Sequence, residues 1–166
     1  SKTNFKEVSF IYEGVPFTFN FNTLECIFKS NRIEIKNSDM TIADSDLNFT
    51  GDITDLIGYI LKKKDNIDIT GKLKSTYMKF DELISLKDTT KEKGVEVFPN
   101  WINADLNTNI TNFSYNDFIA SDITGQLTYK NRTFKGKYIK LKCLNGNIAG
   151  NFKLFESYNK LKLFSQ

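Results

Sequence analysis

The stretch "DLNFTGDITDLIGYI", residues 46–60, changes rhythm in its middle. Up to Gly51 it alternates. Leu47, Phe49 and Gly51 fall on one side and Asn48 and Thr50 on the other, the period of a strand with one dry face. From Ile53 the apolar positions become Leu56, Ile57, Ile60 and Leu61. That spacing, i, i+3, i+4, i+7, i+8, predicts one stripe of a short helix. The strand is therefore expected to end in a corner at Gly51 and to hand over to a helix. Thr54 serves as its N-cap, and Lys62, Lys63 and Lys64 suit its negative C-terminal end. Gly58 inside it costs about 1 kcal/mol relative to Ala. So short a helix needs tertiary packing, and Leu56, Ile57, Ile60 and Leu61 are expected to dock on a sheet. The acids of the stretch then read as surface and capping groups.

Alternation extends outward in both directions. Val15, Phe17, Phe19 and Phe21 share one face, and Ile33 and Ile35 precede Met40 and Ile42. Ile67, Ile69, Gly71 and Leu73 form the next set, followed by Ile102, Ala104, Leu106 and Ile110. Ile123, Gly125, Leu127 and Tyr129 come next. Ile139, Leu141 and Cys143 lead to Ile148, Gly150 and Phe152, and Leu161 and Leu163 close the chain. This is the habit of antiparallel strands with one wet face. The short polar breaks "KSNR", "KNSD", "KNRT" and "LNGN" read as hairpin turns. A second helical turn is expected over residues 82–86, capped by Asp81. Residues 87–94 contain no apolar side chain, and residues 87–98 are expected to form an exposed mobile loop.

A repeat underlies the strands. Apolar-x-Gly-x-apolar occurs around Gly51, Gly71, Gly125 and Gly150, at spacings of 20, 54 and 25 residues. Each of these structural glycines takes an inward strand position, where a missing side chain allows a bend, a bulge or a close approach. A recurring strand-pair unit is the signature of an extended, stacked β architecture.

The 166 residues suit a single domain, 1–166, with 40% apolar and 14% aromatic side chains to build its core. No run of 18 apolar residues could cross a membrane as a helix. Net charge is +3, unevenly placed. From Lys130 onward nine basic residues face one acid, Glu156, a net +8; the first 129 residues carry 14 basic and 19 acidic side chains, a net −5. That basic third offers a face for phosphate groups. Equally, Lys135, Lys137, Lys140 and Lys142 alternate with apolar neighbours, as the wet side of strands does.

Catalytic chemistry finds no foothold. There is no histidine, and Cys26 and Cys143 stand 117 positions apart in apolar alternating runs. Buried free thiols fit that setting, with one long-range disulfide as the alternative, and an ordinary zinc site is excluded. "DITG" at residues 122–125 separates Asp from Thr, unlike an aspartic protease. "ITGKLKS" lacks the first glycine of a phosphate-binding loop. Asp44, Asp46 and Asp52 lack calcium-loop spacing. No catalytic residue, metal or cofactor is expected. Trp101, after a proline at a strand entrance, reads as a core plug, with sugar stacking as the alternative.

A sheet with one dry face must cover it. One short helix cannot cover so many strands, so the sheet is expected to fold over on itself. The hollow would be lined by Phe17, Phe19, Phe21, Ile33, Ile35, Ile42, Leu47, Phe49, Ile67, Ile69, Leu73, Ile102, Leu106, Ile110, Ile123, Leu127, Ile139, Leu141, Ile148 and Phe152. An acyl chain suits such a hollow, at about 0.8 kcal/mol per buried CH₂.

At this point a family resemblance enters. "IADSDLNFTGDITDLIGYILKKKDNIDITGKLKSTYMKFDELISL", a polar loop, then "FPNWINADLNTNITNFSYNDFIASDITGQLTYKNRTFKGKYIKLKCLNGNIAGNF" resembles the C-terminal region of AsmA-like proteins of bacterial envelopes. The likeness spans roughly residues 17–155. It rests on the glycine-helix corner, the strand ending in "LKS", the Asp-Glu-Leu turn, the proline after a variable loop, and the final strands ending in Gly-x-apolar. The resemblance implies a mainly β fold, an antiparallel, strongly curved sheet (a β-groove or taco) with one or two short helices. It further implies a non-enzymatic segment of a longer bridge-like lipid-transfer protein. Phospholipid acyl chains and flanking segments of the same chain would be its partners, without nucleic acid. Its place would be the periplasm, with inner-membrane anchoring through a segment outside this sequence, and its role phospholipid movement and outer-membrane assembly. The open alternatives are a closed lipid-binding β-barrel and a structural or carbohydrate-binding β-sandwich.

Overall fold

The computed structural model describes residues 2–11, 18–84, 101–157 and 160–165. Phe17 and the expected loop 87–98 lie outside them. The elements are β1 (Lys2–Ile11), β2 (Thr18–Lys29), β3 (Arg32–Ile42), β4 (Ser45–Thr54), α1 (Leu56–Ile60), β5 (Ile67–Lys79), α2 (Phe80–Ile84), β6 (Ile102–Tyr115), β7 (Phe118–Lys130), β8 (Thr133–Cys143), β9 (Gly146–Ser157) and β10 (Lys160–Ser165).

All ten strands form one sheet whose order is the chain order, β1 to β10. The expected mainly β class with two short helices is what the described residues form. Neighbours pair antiparallel except β5 and β6, which are parallel. This corrects the expectation of an antiparallel sheet. The chain leaves β5 at one end and re-enters β6 at the other, a crossover long enough for parallel pairing. The result is two five-stranded meanders joined side by side. The sheet does not close, with β1 and β10 as its outer strands. A closed barrel is thereby overturned, and the described strands form a single hydrogen-bonded sheet where a sandwich has two.

The alternation read from the sequence holds within strands but shifts phase at bulges. "KNSD" was expected to turn; instead it lies inside β3, and the register slips between Ile35 and Ser38. A bulge places one extra residue in a strand and reverses which parity faces inward. Hence Ile33 and Ile35 share a face with Ser38, Met40 and Ile42. The same happens in β2 between Phe21 and Thr23 and in β8 between Gly136 and Ile139. "KSNR", "KNRT" and "LNGN" do form the hairpins β2–β3, β7–β8 and β8–β9.

The opening stretch differs from its reading at three points. β4 continues through Gly51 to Thr54, paired with β5 from Asn48 onward, so Gly51 is no corner. The turn comes at Asp55, which is left-handed at φ 62° and caps α1 without a side-chain hydrogen bond, so Thr54 is not the N-cap. α1 is five residues long, and most of its stripe does not dock: Leu56 is half-buried, but Ile57, Ile60 and Leu61 are 47%, 66% and 58% exposed. The side chain that seats α1 is Tyr59, stacked on Trp101 at 5.4 Å between ring centroids. Trp101 thus plugs the corner where β5 and β6 begin, and its carbonyl accepts the Ile67 N–H at 2.8 Å. α2 likewise begins at Phe80, ahead of Asp81, so Asp81 is inside the helix rather than its cap.

Buried apolar side chains gather in two clusters on one face. Ile42, Leu47, Met78 and Ile110 form one, with Phe19, Met40, Leu73, Leu83, Phe113 and Ile123 against it. Cys26, Ile35 and Phe49 form the other, with Leu24, Ile33, Ile53, Ile69, Leu73 and Leu106. The other face is polar, as Lys72, Lys74, Asn107, Asn109, Lys137 and Lys140 are all exposed.

Candidate functional site

Register turns the apolar face into transverse rows. One row crosses every strand: Thr3, Cys26, Ile35, Gly51, Gly71, Leu106, Leu127, Gly136, Phe152 and Ser165 are paired in succession. The next runs Phe5, Leu24, Ser38, Phe49, Leu73, Thr108 and Gly125, and Ile139 pairs with Gly150 beyond it. A third runs Phe28, Ile33, Ile53, Ile69, Ala104, Tyr129, Phe134 and Leu154. The face is a band lying across the strands, because paired strands present residues of one face side by side; glycines and small polar residues interrupt its apolar side chains.

The residues expected to line a hollow fall on this face at three levels of burial. Ile35, Ile42, Leu47, Phe49, Ile67, Ile110 and Ile139 are buried. Phe19, Phe21, Ile33, Ile69, Leu73, Ile102, Leu106, Ile123, Leu127, Leu141 and Phe152 are half-buried. Ile148 on β9 is 53% exposed. Both buried clusters belong to β2–β7 and α2; on β8 Gly136 and Ile139 are buried as well, and the exposed apolar members of the band among the described residues are Phe5, Phe28 and Ile148.

Sequence reading missed several members of the face. Leu24 and Cys26 on β2, Met78 on β5, Ala120 on β7 and Gly136 on β8 are inward and out of phase with the residues expected. The signal was available for β2: Leu24, Cys26 and Phe28 alternate among themselves, one register off Phe19 and Phe21. Four small polar residues also sit on the face, the buried Ser38, Ser45, Ser75 and Thr108. Ser38 Oγ bonds to the Phe49 backbone, accepting its N–H and donating to its carbonyl, at 3.2 Å each. Thr108 Oγ1 donates to the Gly125 carbonyl at 3.1 Å. Ser75 Oγ is buried without a hydrogen-bond partner.

The glycines have a shared geometric role. Gly51 and Gly71 pair directly, and the Phe49 ring lies over both. A Cβ built on Gly51 would stand 2.6 Å from the Gly71 Cα, well inside carbon contact. Gly51 (φ 154°) and Gly125 (φ 152°) also hold backbone conformations that disfavour other residues. Gly136 does for Phe152 what Gly71 does for Phe49, its open side filled by the ring. The β3 bulge at Lys36 and Asn37 and the β8 bulge at Lys137 and Tyr138 both fall between the same two rows. Those rows also contain Gly51, Gly71, Gly125, Gly136 and Gly150.

The acids of the opening stretch serve the backbone. β4 and β5 stop pairing above Asn48 and Lys74. There Asp46 takes over, its carboxylate accepting the Thr76 and Tyr77 N–H groups at 2.9 and 2.6 Å. Burial pushes the Asp46 carboxyl up, but these backbone donors outweigh it and hold it below its ordinary value. Asp52 pairs with Arg32 at 2.5 Å. Lys36 and Lys29 beside Glu34 hold its carboxyl at about 2.

Both cysteines are free thiols, Cys26 buried and Cys143 half-buried. Burial pushes the Cys26 thiol up. Among the described residues no three His, Cys, Asp or Glu side chains converge as metal ligands, and no helix is long and apolar enough to cross a membrane. Two depressions of about 460 and 610 Å³ are lined mainly by outward side chains such as Asp105, Thr128, Lys135, Lys137 and Lys153. Comparison with protein-family models, with curated proteins and with solved structures finds no match.

Proposed function

We propose that this chain is a non-enzymatic β-groove segment that binds or conducts phospholipid by its acyl chains, in the manner of AsmA-like envelope proteins. The observation that carries the reading is the transverse band. Two of its rows run unbroken across neighbouring strands, the opposite face carries exposed lysines and asparagines, and Phe5, Phe28 and Ile148 of the band are left exposed. An acyl chain lying across those strands replaces water at about 25 cal/mol per Å² of apolar surface.

The same reading makes the sheet strongly curved. Phe80 at the end of β5 lies 6.5 Å from Phe134 between ring centroids. Phe134 is level with Ile69 through Tyr129 and Ala104. On a flat sheet the step from Ile69 to Phe80 spans about 36 Å along the strand, so this contact supports folding of the β5–β6 end over the apolar face. The bulges and glycines between two adjacent rows supply a line along which strands bend. The open backbone edges of β1 and β10 suit pairing with flanking segments of a longer chain. The place proposed is the bacterial periplasm, with anchoring through another segment and a role in outer-membrane assembly.

Native mass spectrometry after incubation with phospholipid vesicles tests the proposal. Retention of one or more phospholipids is expected, with less retention in Ile148→Asp. A chain that emerges lipid-free, with the apolar face solidly packed, would overturn it.

A further inference from the structure

α1 holds the one short stripe in this region that faces away from the sheet. Ile57, Ile60 and Leu61 are exposed on it, while Tyr59 turns back to Trp101. The tip is held firmly. Asp55 N–H donates to the Asn31 carbonyl at 3.3 Å, and Asn31 Nδ2 donates to Asp55 Oδ1 at 2.9 Å, tying α1 to the β2–β3 hairpin. The chain continues at once into Lys62, Lys63 and Lys64. Lys64 lies 4.0 Å from Asp55. Lys62 and Lys63 are exposed and have no ion-pair partner among the described residues. Asp65 is the one exposed acid directly beside them.

The same end of the sheet carries Lys29 and Arg32 at the β2–β3 hairpin and Lys130 and Arg132 at the β7–β8 hairpin. The opposite end carries Asp44 at the β3–β4 hairpin, Glu82 on α2 and Asp117 at the β6–β7 hairpin. Lys29 and Arg32 pair with Glu34 and Asp52, and Asp44 and Glu82 share Lys79, so among the described residues the basic charge without an ion-pair partner directly beside the apolar tip is that of Lys62 and Lys63.

We infer that α1 and Lys62–Lys63 form a docking tip for an anionic lipid bilayer. Ile60 and Leu61 enter the interface while the lysines meet the headgroups, the combination by which short apolar stripes hold to membrane surfaces. Nucleic acid matches the lysines but offers nothing to Ile60 and Leu61. The bilayer takes both. The inference does not depend on a lipid within the apolar band, since the tip lies outside the rows that form it.

Co-sedimentation of the full chain with vesicles tests it, using phosphatidylcholine alone and phosphatidylcholine with 30 mol% phosphatidylglycerol. Binding is expected to the anionic vesicles and to fall as salt rises. Each basic side chain near such a surface contributes about fivefold in affinity, the equivalent of about 1 kcal/mol, so Lys62→Ala with Lys63→Ala should weaken binding about 25-fold. Ile60→Asp with Leu61→Asp should abolish it while the thermal melt stays within about 2 °C of the parent, because these side chains pack on little. Lys137→Glu with Lys140→Glu, on the polar face of β8, is the matched charge control. Loss of binding in that control with retention in the α1 variants would overturn the inference. So would a concentration-dependent dimer that dissociates in Ile60→Asp and no vesicle binding. Native mass spectrometry of the α1 variants should still report bound phospholipid, which separates failure of the tip from failure of the groove.

Discussion

Replacing Gly71 by alanine adds one methyl group where β4 and β5 pair through two glycines. The new Cβ would stand 2.8 Å from the Gly51 Cα and 2.9 Å from Phe49 Cε2, and closer still to the Thr50 carbonyl oxygen. Carbon atoms rest at about 3.5–4.0 Å, so about 1 Å must be found. The Phe49 ring can swing part of that distance. The Gly51 Cα and the Thr50 carbonyl belong to the ladder and cannot, so the strands must part. Overpacking of this kind costs about 1–3 kcal/mol, and loosening one or two ladder hydrogen bonds adds about 0.5–1.5 kcal/mol each. The expected loss is about 2–4 kcal/mol, or about 5–15 °C in Tm for a chain of this size. At an unconstrained position the same change stabilises by about 0.4–1 kcal/mol through the unfolded chain. Gly146 is the internal control, its nearest atom the Cys143 carbonyl oxygen at 3.7 Å. Urea titration followed by circular dichroism reads both. Gly71→Ala as stable as Gly146→Ala would refute the packing of Phe49 over the glycine pair, and with it the bend along that line.

Three further outcomes are expected. Asp46→Asn should lose about 1.5–3 kcal/mol near neutrality, the worth of hydrogen bonds to a charged acceptor. Because the folded Asp46 carboxyl is held below its ordinary value of 3.8, its contribution is complete above that pH and is lost as pH falls further. The gap between parent and variant in urea titrations should therefore narrow below about pH 4, and a gap unchanged down to pH 2 would contradict the assignment. Ser75→Ala removes a buried hydroxyl with no partner and should stabilise or leave stability unchanged, whereas a loss above about 1 kcal/mol in thermal melts would mean the hydroxyl is satisfied. Cys26 should resist alkylation by iodoacetamide in the folded chain and react only on denaturation, while Cys143 reacts first, because burial withholds the Cys26 thiolate. Equal rates in mass-spectrometric time courses would contradict the burial of β2.

Much of the architecture was legible because period-two alternation holds on either side of each bulge and because polar turns such as "KNRT" punctuate it. Bulges defeated the reading at "KNSD". A turn and a bulge both interrupt alternation with polar residues, and only the pairing of β3 with β2 and β4 on both sides of Lys36 tells them apart. That same phase reversal hid Leu24, Cys26 and Gly136 from the expected face. α1 failed differently. Its stripe is present in sequence as expected, but periodicity states that apolar residues share a side and not which side meets the sheet. The stacking of Tyr59 on Trp101, distant in sequence, decided that. The parallel pairing of β5 with β6 was illegible for the same reason, since both strands alternate identically whichever direction they run. The mutual pairing of Gly51 and Gly71 depends on a register that neither strand carries alone.

The central claim concerns which face meets lipid, and β9 offers neighbours on opposite faces. Ile148, Phe152 and Leu154 point to the apolar band, while Ala149, Asn151 and Lys153 point away. A photo-crosslinking side chain placed at each position in turn, irradiated with phospholipid vesicles and analysed by mass spectrometry, should capture phospholipid at 148, 152 and 154 and not at 149, 151 and 153. Capture without that alternation, or at none of the six positions, would contradict the account.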